Sequence, residues 1–148
     1  MSISLNALSI VYLLIGFVGL VGTWGNNVDY FSSGLGIAGV NLLFWQETLV
    51  NPASRSITVD ILCLGLAAII WMLFEARRLS MRGVPVYVFL SIFVAIGAAF
   101  PFFMVHRERA LARLEGSDTA GTLSMAEMVF LGLLALMILG YTVLTLMR

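Results

Sequence analysis

The chain has 148 residues, of which 61% are hydrophobic and only 11% are charged, and its mean hydropathy is +1.04. A soluble domain carries about 25% charged residues, so this composition indicates an integral membrane protein. The apolar runs have helical length and lack the alternating pattern of a membrane β-barrel. Eight arginines balance eight acidic residues, and this net charge of zero argues against a nucleic-acid partner.

The first apolar run, at about residues 5–24, is expected to be a retained membrane span. It lacks the basic start and the small-residue cleavage site of a signal peptide. Glycines recur every three residues, which leaves one helix face thin enough for close packing: Gly16, Gly19, Gly22 and Gly25. Residues 35–50 are apolar but short, so we expect an interfacial or re-entrant helix there.

The second span is expected at about residues 57–75. Asn51 is a favourable N-cap and Pro52 a favourable first helical residue. About 21 Å of uncharged helix separates Asp60 from Glu75, whereas the hydrocarbon core is about 30 Å thick. Asp60 is therefore expected near the edge of the hydrocarbon, where a carboxylate is costly without a partner.

The third span is expected at about residues 85–105. Pro101 cannot donate a hydrogen bond to the Gly97 carbonyl, so we expect a kink there. The fourth span is expected at residues 125–147. Its start has a capping-box signature, formed by Ser124 and Glu127.

These elements predict one all-α domain over residues 1–148. Its fold class is an integral membrane four-helix bundle, with an interfacial or re-entrant helix between spans one and two. We expect a multi-pass protein of the bacterial inner (plasma) membrane, in contact with the bilayer and assembled as a homo-oligomer or in a larger complex. The arginine count does not decide the orientation. If the N-terminus is inside, four arginines lie inside (Arg77, Arg78, Arg82 and Arg148) and four outside (Arg55, Arg107, Arg109 and Arg113).

Antiparallel spans place Asp60, near the start of span two, and Arg107, at the end of span three, at the same membrane face. Arg107 is then the best candidate partner for Asp60, and Arg55 is the rival. Asp60 and Glu108 are the candidate catalytic acids or bases. The candidate ligand-binding residues collect at this face: Trp24, Asn27, Asn51, Arg55, Asp60, Arg107 and Glu108.

We expect no metal site and no cofactor. His106 and Glu108 are a weak ligand set, and the adjacent Arg107 and Arg109 repel a cation. The sequence lacks a haem-ligand pair, a phosphate-binding loop and a nucleophile elbow. Glu75 and Arg78, three residues apart, are expected to form an interfacial ion pair.

Three motifs resemble a widespread family of small bacterial membrane proteins that is classed as a domain of unknown function. They are NPxSRSxxxD at 51–60, ExRR at 75–78 and PxxxxxRE at 101–108. The resemblance extends over about residues 22–111, implies a core of three spans and implies no activity. It implies that ten positions match the family pattern: Asn51, Pro52, Ser54, Arg55, Asp60, Glu75, Arg78, Pro101, Arg107 and Glu108.

Two functions remain open from the sequence. The first is a non-enzymatic accessory or interaction subunit, or a module that binds a lipid or a small anion through Arg55 and Arg107. The second is a small membrane-embedded enzyme that acts on a lipid or isoprenoid-like substrate, with Asp60 or Glu108 as its general acid or base. Transport ranks lower, because no charge lies at the centre of any span.

Overall fold

A computed structural model describes residues 2–115 and 119–148 of the chain. Two short strands pair in an antiparallel ribbon, β1 (Ser2–Ser4) and β2 (Thr119–Thr122). The rest is helical, as α1 (Leu5–Phe31), α2 (Ile37–Glu47), α3 (Pro52–Arg78), α4 (Val84–Leu90), a π-helical turn (Ser91–Ala95), α5 (Ile96–Glu115) and α6 (Met125–Leu146).

Four helical stretches are long and apolar enough to cross a membrane: Leu5–Phe31, Pro52–Arg78, Val84–Leu114 and Met125–Leu146. The prediction of an all-α membrane helical bundle is therefore confirmed. Helix α2 has 11 residues. Its length is thus about 16 Å, which is too short to cross a hydrocarbon core of about 30 Å.

The helix starts that the sequence predicts are present. The Asn51 side chain accepts a hydrogen bond from the Ser54 backbone N–H over 2.9 Å, and Pro52 follows as the first residue of α3. Ser124 and Glu127 form the second capping box, at the start of α6. Each box satisfies backbone donors that a helix start leaves unpaired.

The stretch from α4 to α5 is not one straight helix. The rings of Tyr87 and Phe103 lie 5.6 Å apart, although they are sixteen residues apart in the chain. A straight helix would separate them by about 24 Å. The chain therefore reverses direction between them, at the π-helical turn Ser91–Ala95. Helices α4 and α5 form a hairpin, so residues 85–105, the expected third span, do not run in one direction.

The hairpin tip lies between α1 and α3. The Trp24 indole N–H donates to the Val94 carbonyl over 3.2 Å, within the π-helical turn. On the other side of the tip, a Cβ at Gly65 would lie 3.3 Å from the Ile96 side chain. These two contacts hold the hairpin tip against α1 and α3, while Ile92 and Phe93 in the π-helical turn stay exposed.

Helices α1 and α5 cross with their backbones in contact at two glycines. A Cβ placed on Gly19 would lie 2.6 Å from the Gly97 carbonyl oxygen, so no larger residue fits without movement. Pro101 leaves that carbonyl without its intrahelical donor, and α5 continues through Pro101 as a helix. The close approach brings the Gly19 Cα–H beside this acceptor, which provides a weak compensating contact.

Helices α1 and α6 run in the same direction. Their preceding strands pair with each other, and further along a Cβ at Gly22 would contact Thr142 at 3.0 Å. Near the far end, the Asn26 amide donates to the Thr145 hydroxyl over 3.4 Å. In an up-and-down bundle of four straight spans, the first and fourth helices would be antiparallel. Their parallel arrangement agrees with the reversal between α4 and α5.

The core lies where the end of α3 meets both arms of the hairpin. Met72 and Ala76 of α3 pack with Val84 of α4 and Phe103 of α5, and all four are buried. The Trp71 ring lies 5.8 Å from the Phe103 ring in an edge-to-face arrangement. This core holds the hairpin against α3 and sets the position of the charged residues that follow it.

Candidate functional site

Four charged side chains meet where α3 ends beside the returning arm of the hairpin. Glu75 and Arg78 come from α3, and Arg107 and Glu108 come from α5; we call these four residues the ion cluster. Arg78 binds both carboxylate oxygens of Glu75, through Nε and Nη2, over 2.7 Å each. Arg107 donates from Nε to Glu75 and from Nη1 to Glu108, also over 2.7 Å each.

Both carboxylates of the ion cluster are buried. Glu75 is 7% exposed and Glu108 is 6% exposed. The Arg107 guanidinium carbon lies 5.6 Å from the centre of the Trp71 ring, in a cation–π contact. Two positive and two negative charges balance within the cluster, and the expected Glu75–Arg78 pair is confirmed. Removing Arg107 would leave the buried Glu108 without its ion-pair partner among the described residues, which is strongly destabilising.

The expected pair between Asp60 and Arg107 is wrong. Arg107 binds Glu75 and Glu108 instead, and Asp60 is exposed, fifteen residues before Glu75 on the same helix. The expectation assumed that the third span crosses the membrane once. Because the hairpin returns, Arg107 lies at the end of α3, whereas Asp60 lies toward its start. The predicted site residues therefore divide between the two ends of the molecule.

Asn51, Arg55 and Asp60 form the group at the start of α3. Arg55 donates to the Leu49 carbonyl over 2.8 Å and does not reach Asp60. Within residues 2–115 and 119–148, the Asp60 side chain has no hydrogen bond and no ion pair. Asn51 is occupied as the N-cap. This group therefore contains one charged side chain without an intramolecular partner.

Trp24 and Asn27 do not join either group. The Trp24 indole is bonded to the hairpin tip, and its ring stacks on Phe31 at 6.3 Å. Asn27 is half-buried, and its side-chain amide has no hydrogen bond to another described residue. Nearby, the Tyr30 hydroxyl donates to the Glu47 carboxylate, which links α1 to α2. Trp24 thus has a structural role at the tip.

A groove next to the ion cluster contains residues that the sequence did not single out as a site. It lies between the turn after α3 and the end of α5, with a volume of about 340 Å³. Its lining combines two arginines and a histidine with apolar and small residues: Leu79, Ser80, Met81, Arg82, His106, Ala110, Arg113 and Leu114. The spacing of Arg82 and Arg113 along the sequence does not indicate that both line one groove, because this arrangement depends on the reversal of the hairpin.

The geometry of the ion cluster limits its chemistry. Glu75 accepts three hydrogen bonds from two arginines, and Glu108 accepts one from Arg107. A carboxylate can accept about four hydrogen bonds, so Glu75 is nearly saturated whereas Glu108 is not. Among the described residues, no group of three or more His, Cys, Asp or Glu side chains is placed to hold a metal ion. The Arg107–Glu75 contact joins α5 to the end of α3.

Comparison with known sequences places the chain in a protein family. A family model described as "Protein of unknown function DUF2834" matches residues 11–109, which is more than half of the chain. The match includes α3, the hairpin and all four members of the ion cluster. Neither a curated protein nor a solved structure matches the chain.

Proposed function

Because this chain belongs to the DUF2834 family of proteins of unknown function, we propose its role from its own geometry. It is a non-enzymatic accessory protein of the inner (plasma) membrane, and it binds another transmembrane helix through the outer face of α3. That helix belongs to a second copy of the chain or to a larger membrane complex. One observation carries the proposal: the Asp60 carboxylate is exposed on a spanning helix and has no partner among the described residues.

The depth of Asp60 in the membrane makes the lack of a partner energetically costly. Asp60 lies about 22 Å along the helix from Glu75, and a hydrocarbon core is about 30 Å thick. With Glu75 at one membrane face, Asp60 lies inside the opposite edge of the hydrocarbon. A carboxylate that faces lipid costs about 2.5–3.5 kcal/mol at the centre of a span and less toward its end. A donor on a neighbouring helix would remove that cost.

The outer face of α3 is suited to helix packing. Asp60, Cys63, Leu64 and Ala67 follow the spacing of one helical face and are all exposed. The buried face, which includes Gly65 and Met72, points to the hairpin instead. Small and medium side chains around one polar group are typical of helix contacts in membranes.

The alternative function, a membrane-embedded enzyme, has less support. Glu108 is buried against Arg107, and the Arg107 guanidinium already bridges two carboxylates. Asp60 remains a candidate acid or base, but neither Arg55 nor Arg107 is beside it to hold an anionic substrate. The enzyme reading needs a binding site around Asp60 that the described residues do not supply.

Cys63, the single cysteine of the chain, provides the test, because it is exposed and lies one turn from Asp60. A photo-reactive crosslinker is attached to the Cys63 thiol in native membranes, and the adducts are separated by mass. We expect a protein adduct whose yield falls several-fold in the Asp60→Leu variant and partly in Asp60→Asn. An adduct near twice the 16.1 kDa of the chain identifies a second copy as the partner.

The matched control moves the thiol to another exposed span. In a Cys63→Ala, Leu136→Cys protein the crosslinker lies on α6, where Leu136 is 67% exposed. Its adducts should not depend on Asp60. If Cys63 captures only lipid, or if its protein adduct is unchanged by Asp60→Leu, the accessory role through this face is wrong.

A further inference from the structure

Arginines at the end of the molecule that carries the ion cluster divide into two sets. Arg78 and Arg107 bind the buried carboxylates. Arg82 and Arg113 line the groove and have no ion pair within the described residues. The stretch 75–115 contains six arginines and three glutamates, so this end carries an excess of positive charge.

We propose that this groove binds the phosphate group of an anionic membrane lipid. Arg82 and Arg113 both line it, Arg82 from the turn after α3 and Arg113 from the last turns of α5. A guanidinium offers parallel N–H donors that match a phosphate, so two arginines that line one groove can bind one phosphate together. His106, on the same face of α5 as Arg113, adds a ring nitrogen to the lining.

The position of the groove favours a lipid over a free ion. The groove lies beside Glu75 and Arg78, at the end of a membrane-spanning helix, where lipid headgroups are located. Four of its other lining residues are apolar, namely Leu79, Met81, Ala110 and Leu114, and Leu114 is 67% exposed. Arginines around the phosphate, with Leu79, Met81 and Leu114 beside the glycerol and the upper acyl chain, match the division of a lipid into polar and apolar parts.

The backbone of the groove has one unusual feature. Ser80 adopts a left-handed conformation with φ at +51°, which glycine usually occupies. It closes α3 in a Schellman motif, in which the Met81 N–H donates to the Ala76 carbonyl over 2.8 Å. The Ser80 hydroxyl adds a hydrogen-bond donor to the groove wall.

The binding test uses purified full-length chain in a neutral detergent and phosphatidylglycerol as the probe. Bound lipid is counted by native mass spectrometry, with phosphatidylcholine as the zwitterionic lipid of zero net charge and inorganic phosphate as the free anion. We expect phosphatidylglycerol to bind more tightly than phosphatidylcholine. The Arg82→Gln, Arg113→Gln double variant should lower the affinity for phosphatidylglycerol on the order of tenfold or more, because each arginine near a headgroup contributes about 1 kcal/mol to binding.

Arg77→Gln is the matched control, because Arg77 lies at the same end outside the groove, over the Phe74 ring at 5.8 Å. It should leave the affinity for phosphatidylglycerol within about twofold. Both altered arginines are exposed, and a melting temperature close to that of the unaltered protein verifies that the double variant is folded. If Arg77→Gln lowers the affinity as much as the double variant does, the effect comes from the net charge at this end of the protein, and the proposed site is wrong. Inorganic phosphate that binds as tightly as the lipid would overturn the lipid assignment.

Discussion

The Arg107 Nε lies 2.7 Å from Oε1 of Glu75, and this contact joins the returning arm of the hairpin to the end of α3. The two residues are 32 positions apart in the chain. Arg107 also binds Glu108, so one guanidinium neutralises two buried carboxylates. The contact is possible only because the α4–α5 stretch turns back. The presence of this ion pair therefore depends on formation of the hairpin.

Loss of the Arg107 side chain should strongly destabilise the protein. In Arg107→Leu, Glu75 keeps Arg78, but Glu108 loses the one ion-pair partner that it has among the described residues. Removing one partner of a buried ion pair costs about 3–5 kcal/mol. We therefore expect a lower melting temperature for Arg107→Leu in detergent. Arg109→Leu, an exposed position two residues further, should change the free energy of unfolding by less than about 0.5 kcal/mol. Equal shifts of the unfolding temperature in the two variants would show that the ion cluster does not stabilise the fold.

The sequence predicted what depends on local chemistry. Both capping boxes and the proline at the start of α3 are where the residues Asn51 and Ser124 indicated. Apolar length identified the four helical stretches that could cross a membrane. The pair of Glu75 with Arg78 followed from their spacing on one helix. Each of these features is decided within a few residues of the chain.

The site was not predictable in the same way. Val84–Leu114 has enough apolar residues for one straight crossing, and nothing in that composition marks a reversal. Whether such a stretch continues or turns back depends on the contacts made at the turn, and here Trp24 and Gly65 from two other helices contact the hairpin tip. A single crossing by residues 85–105 would place Arg107 beside the start of α3 and therefore near Asp60. The reversal places Arg107 at the end of α3, beside Glu75.

Helix α1 should not tolerate a methyl group at its crossing with α5. In Gly19→Ala the new Cβ would lie 2.6 Å from the Gly97 carbonyl oxygen, which is backbone and cannot rotate away. Overpacking of this kind costs about 1–3 kcal/mol. Gly140→Ala is the control, because a Cβ at this exposed site on α6 meets nothing within 4 Å. We expect a lower melting temperature for Gly19→Ala alone; a change of the same size in both would contradict the close crossing.

Two substitutions in the turn after α3 should have opposite effects on stability. Ser80→Gly relieves a left-handed conformation that costs a side chain about 1–2 kcal/mol, at the expense of about 0.4–1 kcal/mol in chain entropy. We expect a net gain of roughly 0.5 kcal/mol. Gly83 has φ at +78°, so Gly83→Ala should destabilise by about 1 kcal/mol or more. Thermal unfolding of the two variants in one detergent provides the comparison. Destabilisation by Ser80→Gly would mean that the serine side chain supports the turn.

The hairpin predicts the side of the membrane on which each terminus lies. From Ile96 at the tip to Arg107 the helix rises about 16 Å, roughly half of a hydrocarbon core. A hairpin of that depth returns to the face from which it entered, so the chain crosses three times and its termini lie on opposite sides. Four straight crossings would instead place both termini on one side. The parallel course of α1 and α6 favours the former.

The same geometry resolves the tied arginine count. Six arginines lie at the end that carries the ion cluster: Arg77, Arg78, Arg82, Arg107, Arg109 and Arg113. Two lie at the other end, Arg55 and Arg148. Basic residues close to span ends collect on the cytoplasmic side, so we expect the N-terminus inside and the C-terminus outside.

Thiol labelling in intact cells tests this topology directly. In a Cys63→Ala background, single cysteines are placed at Ser33 in the α1–α2 connection, at Arg148 and at Arg82, and a membrane-impermeant maleimide is added outside. With the hairpin, Ser33→Cys and Arg148→Cys label together and Arg82→Cys does not. If the third stretch were one straight crossing, Ser33→Cys and Arg148→Cys would lie on opposite sides whichever way the protein is inserted. Labelling of only one of these two, with both accessible after permeabilisation, would therefore rule out the re-entrant hairpin.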